Sequence, residues 1–386
     1  MKGHIVKRGD KYSFVIDIGR DPVTKKRKQK RVSGFTSERK ARKAMIDMIA
    51  ELNKGTYVEP TVKKLGDYLK DWLKFKEKRV VHSTYLHYEG YINNHVIPAL
   101  GNVKVADLTT RQVESFYESL LDNEVLSPQS IHHIHRILSN AIGRGARIGE
   151  LPRNIMKAVE PVKVPKIEMK YWNMKELNQF LSKTMQEYYY ISWYLSAFTG
   201  MRLGEILGLK WDSVDFDNKV IYVRRALKRD EGKYIISELK NNPSYRSINI
   251  SDSDVFALKQ HLKKQKKLKN KLGSDYQDQD LIVATKTGNF VLPSNIGRAF
   301  RRCLKQTNVE NIRFHDLRHT HASMLFELKV HPKIVQERLG HSSISVTLDR
   351  YSHMIPNMQE AVAEHLESAF KKEQENDEKD TSKTSM

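Results

Sequence analysis

The stretch that most restricts what this 386-residue chain can be is RFHDLRHTHASMLFELKVHPKIVQERLGHSSISVTLDRYSH, residues 313–353. Its apolar residues Leu317, Leu325, Ile334, Val335, Leu339, Val346 and Leu348 recur at helical spacing and predict short helices packed on a core. Among them stand polar residues that such a core does not need: His315, Arg318, His341 and Tyr351. Gly340 follows the segment 334–339, where a helix C-terminus often takes a residue tolerant of positive φ, so His341 leaves from a helix end. His315 and Arg318 are three apart and share a face. Tyr351 ends a further helical stretch. Its phenol, with an ordinary pKa of about 10, is a poor nucleophile at neutral pH unless neighbours take its proton and polarise its target. Cationic and imidazole groups can do both, and they point to an anionic partner.

A second cluster is TGMRLGEILGLKW, residues 199–211. Leu203, Ile206, Leu207 and Trp211 mark one face of a helix, and Gly200 lets the chain turn closely before Arg202. Arg202 then lies near a helix N-terminus, where backbone N–H groups also favour an anion. Glu205, three residues on, pins the guanidinium or buttresses the site. A surface Arg–Glu pair alone is worth under about 1 kcal/mol, so the signal lies in the agreement of separate clusters.

Arg202 within TGMRLGEILGL, His315 and Arg318 within FHDLRHTHASML, and His341 to Tyr351 within LGHSSISVTLDRYSH fit one pattern in order and spacing. Over at least residues 172–369 the chain resembles the tyrosine recombinases, also called the phage integrase family. The resemblance implies one more catalytic position, a lysine on a β-hairpin between the first arginine and the H-x-x-R segment. Residues 219–250 supply the hairpin: VIYVRRA alternates, Asp230 to Gly232 turn, KYIISELK follows, and NNPS turns before YRSINI. Lys240 fits best; Lys228 and Lys233 lie nearer the first turn.

Phosphodiester chemistry explains these residue types. An alcohol attacking phosphorus builds negative charge on the non-bridging oxygens, and forked guanidiniums match that geometry. The resemblance therefore implies that Arg202 and Arg318 clamp the phosphate and that His341 donates a hydrogen bond to it. His315 would accept the tyrosine proton or orient the phosphate, Lys240 would protonate the leaving 5′-oxygen, and Tyr351 would attack, leaving a 3′-phosphotyrosyl link. No ATP, metal or other cofactor is implied, and there is no carboxylate cluster of the two-metal kind.

Composition agrees. Lys and Arg number 67 against 46 Asp and Glu, a net charge of +21 with a pI near 9.7, which favours a polyanion, and nucleic acid over membrane. No apolar run of about 18 residues could span a bilayer, and the first residues lack a signal peptide's apolar region. Cys303 is the only cysteine, which excludes intramolecular disulfides and Cys-rich zinc sites and suits a cytoplasmic, nucleoid-associated protein.

The expected fold is multidomain α+β. Residues 1–57 read as three strands and a helix capped by Ser37, and resemble an arm-site DNA-binding domain, with Lys11, Lys28, Lys30 and Arg31 as candidate DNA contacts. Residues 61–165 read as helical with a cationic surface and resemble the family's core-binding domain, which makes Arg136, Arg144 and Arg147 candidate DNA contacts. Helices there start near Ser83, Thr110 and Ser127. Residues 162–170 form a linker. Residues 171–370 read as a mainly helical catalytic domain with a small antiparallel sheet, and 371–386 as a disordered tail. Met358, Val362, Leu366 and Phe370 form a stripe that packs in cis or on a neighbouring protomer. The resemblance implies double-stranded DNA with core and arm attachment sites, a homotetramer on DNA, an excisionase and a host DNA-bending protein as partners, and no membrane. The implied activity is integration and excision of a prophage or conjugative element. A resolvase-type recombinase, a type IB topoisomerase and a catalytically inactive DNA-binding regulator are the competing readings.

Overall fold

The computed structural model describes residues 3–20, 26–53, 61–165, 169–239, 245–351, 366–368 and 371. It has two compact units, Met1–Lys166 and Ile167–Met386.

The first unit begins with an antiparallel sheet in the order β1 (Gly3–Arg8), β2 (Lys11–Arg20), β3 (Arg27–Phe35). Phe14 and Ile16 of β2 are buried because α1 (Glu38–Asn53) covers their face. Ser37 accepts a hydrogen bond from the Lys40 backbone N–H at the helix start, as an N-cap should. Side chains alternate across a strand. Lys11 and Arg31 therefore fall on the face away from α1, Arg31 opposite Val15, whereas Lys30 lies opposite Ile16 on the helix side.

The rest of this unit is helical: α2 (Leu65–Glu77), α3 (His82–Tyr91), α4 (Ile97–Leu100), α5 (Thr110–Asp122) and α6 (Pro128–Arg147). Their apolar stripes meet in one core that includes Leu69, Trp72, Val113, Ile131, Ile134 and Leu138. Thr109 and Gln112 form a reciprocal capping box on α5, and the Ser127 side chain caps α6.

The second unit packs α7 (Met174–Thr184), α8 (Tyr190–Thr199), α9 (Leu203–Leu207), α10 (Asp252–Leu272) and α11 (Pro293–Thr307) around a core with Trp172, Phe180, Trp193 and Phe300 at its centre. Strands β4 (Val214–Asp215), β5 (Val220–Val223) and β8 (Arg246–Asn249) form one sheet, while β6 (Arg225–Asp230) and β7 (Lys233–Glu238) form a separate hairpin. The helices α12 (Asp316–Glu327), α13 (Pro332–Leu339) and α14 (Ile344–Tyr351) complete it.

The expected fold class is borne out, with local corrections. VIYVRRA is not one strand: it breaks at Arg224, and its halves join different sheets. Helix α9 ends at Leu207, so Trp211 instead opens a 3-10 turn. Ile334 is 55% exposed, because Val335 and Leu339 are the α13 residues that turn inward. Of the C-terminal stripe, Leu366 is exposed; Met358, Val362 and Phe370 lie outside the described residues. Among the described residues no helix is long and apolar enough to cross a membrane.

Candidate active site

Helix α8 stops at Gly200, whose left-handed backbone (φ 66°) ends the helix and turns the chain toward Arg202. A side chain here would be strained by its φ and would also strike His321 and Leu339, each 2.7 Å from the position of a Cβ, so the turn needs glycine. Arg202 is the N-cap of α9. Its backbone N–H donates to Glu205 Oε2 at 2.9 Å, Nη1 donates to Glu205 Oε1 at 2.9 Å, and Nη2 donates to the Gly340 carbonyl at 2.9 Å. The last bond ties Arg202 to the residue preceding His341 across 138 positions of sequence.

Glu205 is 3% exposed and serves two guanidiniums. Arg246 of β8 forks onto it, Nη1 to Oε1 at 3.2 Å and Nη2 to Oε2 at 2.8 Å, while Arg246 Nε donates to the Arg338 carbonyl at 2.7 Å. Burial alone would push the Glu205 carboxyl up, but Arg246 and Arg202 together outweigh it and hold it below the usual carboxylate range. Behind this pair, Arg338 donates to His321 Nε2 at 3.1 Å, and His321 Nδ1 bonds the Ala197 carbonyl at 2.8 Å. A carbonyl only accepts, so Nδ1 carries the proton and Nε2 is the acceptor. Burial and the adjacent Arg338 push His321 down to about 3, which keeps it neutral.

Arg318 lies on α12, where nearly every residue is buried. Its Nη1 donates to the Gly200 carbonyl at 2.6 Å, and its buried Nη2 has no hydrogen-bond partner among the described residues. Desolvation first, and then the neighbouring Arg202, bring its pKa down to about 9, with Glu205 and the Tyr351 phenol acting the other way. The group stays protonated at neutral pH, but its charge is poorly compensated. A buried donor without a partner costs about 1–3 kcal/mol, more when charged, and an incoming anion would relieve that cost.

His341 follows Gly340, the left-handed C-cap of α13. Its backbone N–H donates to the Gln336 carbonyl at 3.1 Å, and its Nδ1 lies 2.8 Å from the Thr347 hydroxyl. Tyr351 is 2% exposed. Its ring stacks on Phe326, centroids 5.5 Å apart, and its hydroxyl lies 2.5 Å from His319 Nδ1. The His319 ring in turn meets the His315 ring edge-on at 5.3 Å.

Five of the six expected catalytic residues thus gather at the ends of α8, α9, α12, α13 and α14, and Glu205 buttresses Arg202. Lys240 lies outside the described residues. Sequence reading missed Arg246, which betrays itself by its phase: it shares a strand face with the buried Ile248. It also missed His319, since three histidines within seven residues left nothing to rank them. In the first unit, Arg136 and Arg147 line an open groove of about 860 Å³ along α6 together with His135 and Lys157. Arg144 is turned elsewhere: its guanidinium stacks 3.8 Å from the Phe75 ring centroid, which Arg79 covers from 3.9 Å.

Comparisons with known proteins give the family. The phage integrase family matches residues 169–358, the phage integrase N-terminal SAM-like domain matches 64–121, and the arm DNA-binding domain matches 4–52. The chain is 29% identical to a tyrosine recombinase XerC-like protein of Caldanaerobacter subterraneus over 96% of this chain and 99% of that one. It is 26% identical to the ICEBs1 integrase of Bacillus subtilis, over 92% and 96%. The Tn1549 transposon integrase in complex with a circular intermediate DNA shares the fold, with a TM-score of 0.67 at 20% identity over 79% of this chain and 99% of that chain. Together these define a site-specific recombinase that acts on DNA. The chain belongs to the phage integrase family of tyrosine recombinases.

Proposed function

We propose that the chain is the integrase of a prophage or integrative element, cleaving and rejoining DNA through a 3′-phosphotyrosyl link to Tyr351. The observation that carries the residue assignment is the buried Nη2 of Arg318, without a hydrogen-bond partner among the described residues, beside Arg202 and the Tyr351 phenol. Arg318 and Arg202 would grip the non-bridging oxygens of the scissile phosphate, with Glu205 and Arg246 holding Arg202 in place. His341 would donate to the same phosphate, and His315 would orient it. Tyr351 attacks phosphorus, the P–O5′ bond breaks, and Lys240 protonates the departing oxygen. The phosphotyrosyl ester retains the bond energy, so a 5′-hydroxyl from another strand can reverse the step without ATP.

DNA would be held by residues 61–165, through Arg136 and Arg147 in the α6 groove, and by residues 171–370. Residues 1–57 would bind separate arm sites through the open face of the sheet that carries Lys11 and Arg31. Exchange of two duplexes requires four cuts, hence four protomers on DNA, with an excisionase and a DNA-bending protein setting direction. The ICEBs1 integrase among the relatives supports a mobile-element substrate. The test is a suicide DNA whose cleaved strand diffuses away. Wild type should accumulate a covalent adduct, and Tyr351→Phe should bind the DNA without forming one. An adduct on Tyr351→Phe would overturn the assignment.

A further inference from the structure

The geometry points to His319, rather than His315, as the group that takes the Tyr351 proton; we propose that His319 Nδ1 is the general base of the cleavage step. The inference rests on Tyr351 being the nucleophile. Three observations carry it. The Tyr351 hydroxyl and His319 Nδ1 are 2.5 Å apart, within the range at which a proton passes directly. Both residues are buried, at 2% and 5% exposure, and Phe326 stacks on the Tyr351 ring, so the pair is held rather than met by chance. His315, at the start of α12 and exposed, stands edge-on behind His319, where it can pass the proton toward solvent.

The step balances as follows. The Tyr351 Oη–H bond breaks and its proton joins the Nδ1 lone pair, giving an imidazolium. The phenolate oxygen bonds to phosphorus, and the P–O5′ bond breaks with its electron pair on O5′, which takes a proton from the general acid proposed at Lys240. Rejoining runs the same path backward, and His319 returns its proton to Tyr351. Among the described residues, the titratable groups whose contacts with His319 are seen are His315 from α12 and Tyr351 from α14, and the charged Arg318 precedes it in the chain.

The experiment measures single-turnover cleavage of suicide DNA from about pH 6 to about pH 10, spanning the ordinary imidazole and phenol values. Wild type is compared with His319→Ala and His319→Asn, the latter able to hydrogen-bond but not to bind the proton. Both variants should bind DNA normally and cleave about 10²–10⁴-fold more slowly at neutral pH, the usual contribution of a general base. The deficit should shrink as pH approaches the phenol's own value. It should persist on a substrate with a 5′-bridging phosphorothiolate, whose thiolate leaves without a proton, and added imidazole should partly restore His319→Ala. Cleavage by His319→Asn within about threefold of wild type, an unchanged pH profile, or full rescue by the phosphorothiolate would overturn the proposal. So would a His319→Asn protein that neither melts like wild type nor binds DNA, because His319 would then serve the core. Tyr351→Phe run in parallel keeps the two readings apart: an adduct there removes the nucleophile assignment whatever His319 does.

Discussion

Replacing Glu205 by Gln should destabilise the protein and disable Arg202 at once. The carboxylate accepts from the Arg202 backbone N–H and Nη1 and from Arg246 Nη1 and Nη2, at 2.8 to 3.2 Å. A glutamine has the same shape but turns one acceptor into a donor. If its amide nitrogen replaces Oε1 it faces two guanidinium donors; if it replaces Oε2 it faces the Arg202 N–H and Arg246 Nη2. Either orientation strands two donors and removes the charge that compensates Arg246, whose side chain is 7% exposed. Breaking a buried pair by removing one partner costs about 3–5 kcal/mol. Arg202 is 38% exposed and recovers part of its loss from water, which puts the expected cost near the lower end, about 3 kcal/mol.

The pH dependence has a definite sign. The folded Glu205 carboxyl lies below its ordinary range, so its stabilisation is present above the unfolded carboxylate pKa and is lost as pH falls through the folded value. Urea unfolding followed by tryptophan fluorescence reads mainly the second unit, where Trp172, Trp193 and Trp211 lie. The gap between wild type and Glu205→Gln should be constant near neutrality and narrow in acid. An equally stable variant, or a gap indifferent to pH, would refute the reasoning.

Arg318→Lys should lower the cleavage rate by about 10²–10³-fold, since the donors of an ammonium all leave one nitrogen and cannot reproduce the planar fork that holds the Gly200 carbonyl with Nη1 and presents Nη2 to the phosphate; suicide-substrate kinetics read this directly. Gly200→Ala should destabilise by about 2–4 kcal/mol through its left-handed backbone and its collision with His321 and Leu339, seen as a lowered unfolding midpoint. Arg136→Ala and Arg147→Ala should each weaken DNA binding and reduce the slope of log affinity against log salt by about 1. Arg144→Ala, which loses its stack on Phe75, should lower stability and leave that slope unchanged, as a salt titration of binding would reveal.

Much of this was legible in the chain because periodicity and chemistry agreed. The starts of α5 and α6 near Thr110 and Ser127 follow from local preferences that tertiary packing did not override. Arg202, His315, Arg318, His341 and Tyr351 could be singled out because three separated clusters fit one family pattern in order and spacing. What escaped was decided by contacts distant in sequence. Arg246 reaches Glu205 across 41 residues, and Arg338 locks His321 beside Gly200. Nothing in VIYVRRA marks Arg224 as the point where one strand becomes two, since alternation continues through it. Arg144 was grouped with Arg136 and Arg147 by charge, but one helix presents several faces, and the one bearing Arg144 packs on Phe75.

The most direct measurement is peptide mapping of the covalent complex trapped on a suicide DNA. The convergence of Arg202, Arg318 and Tyr351 on one site, with His341 following the Gly340 carbonyl that Arg202 holds, predicts a nucleotide attached through its 3′-phosphate to the peptide containing Tyr351, with a free 5′-hydroxyl on the released strand. A nucleotide on any other residue, or a 5′-phosphate linkage, would contradict it.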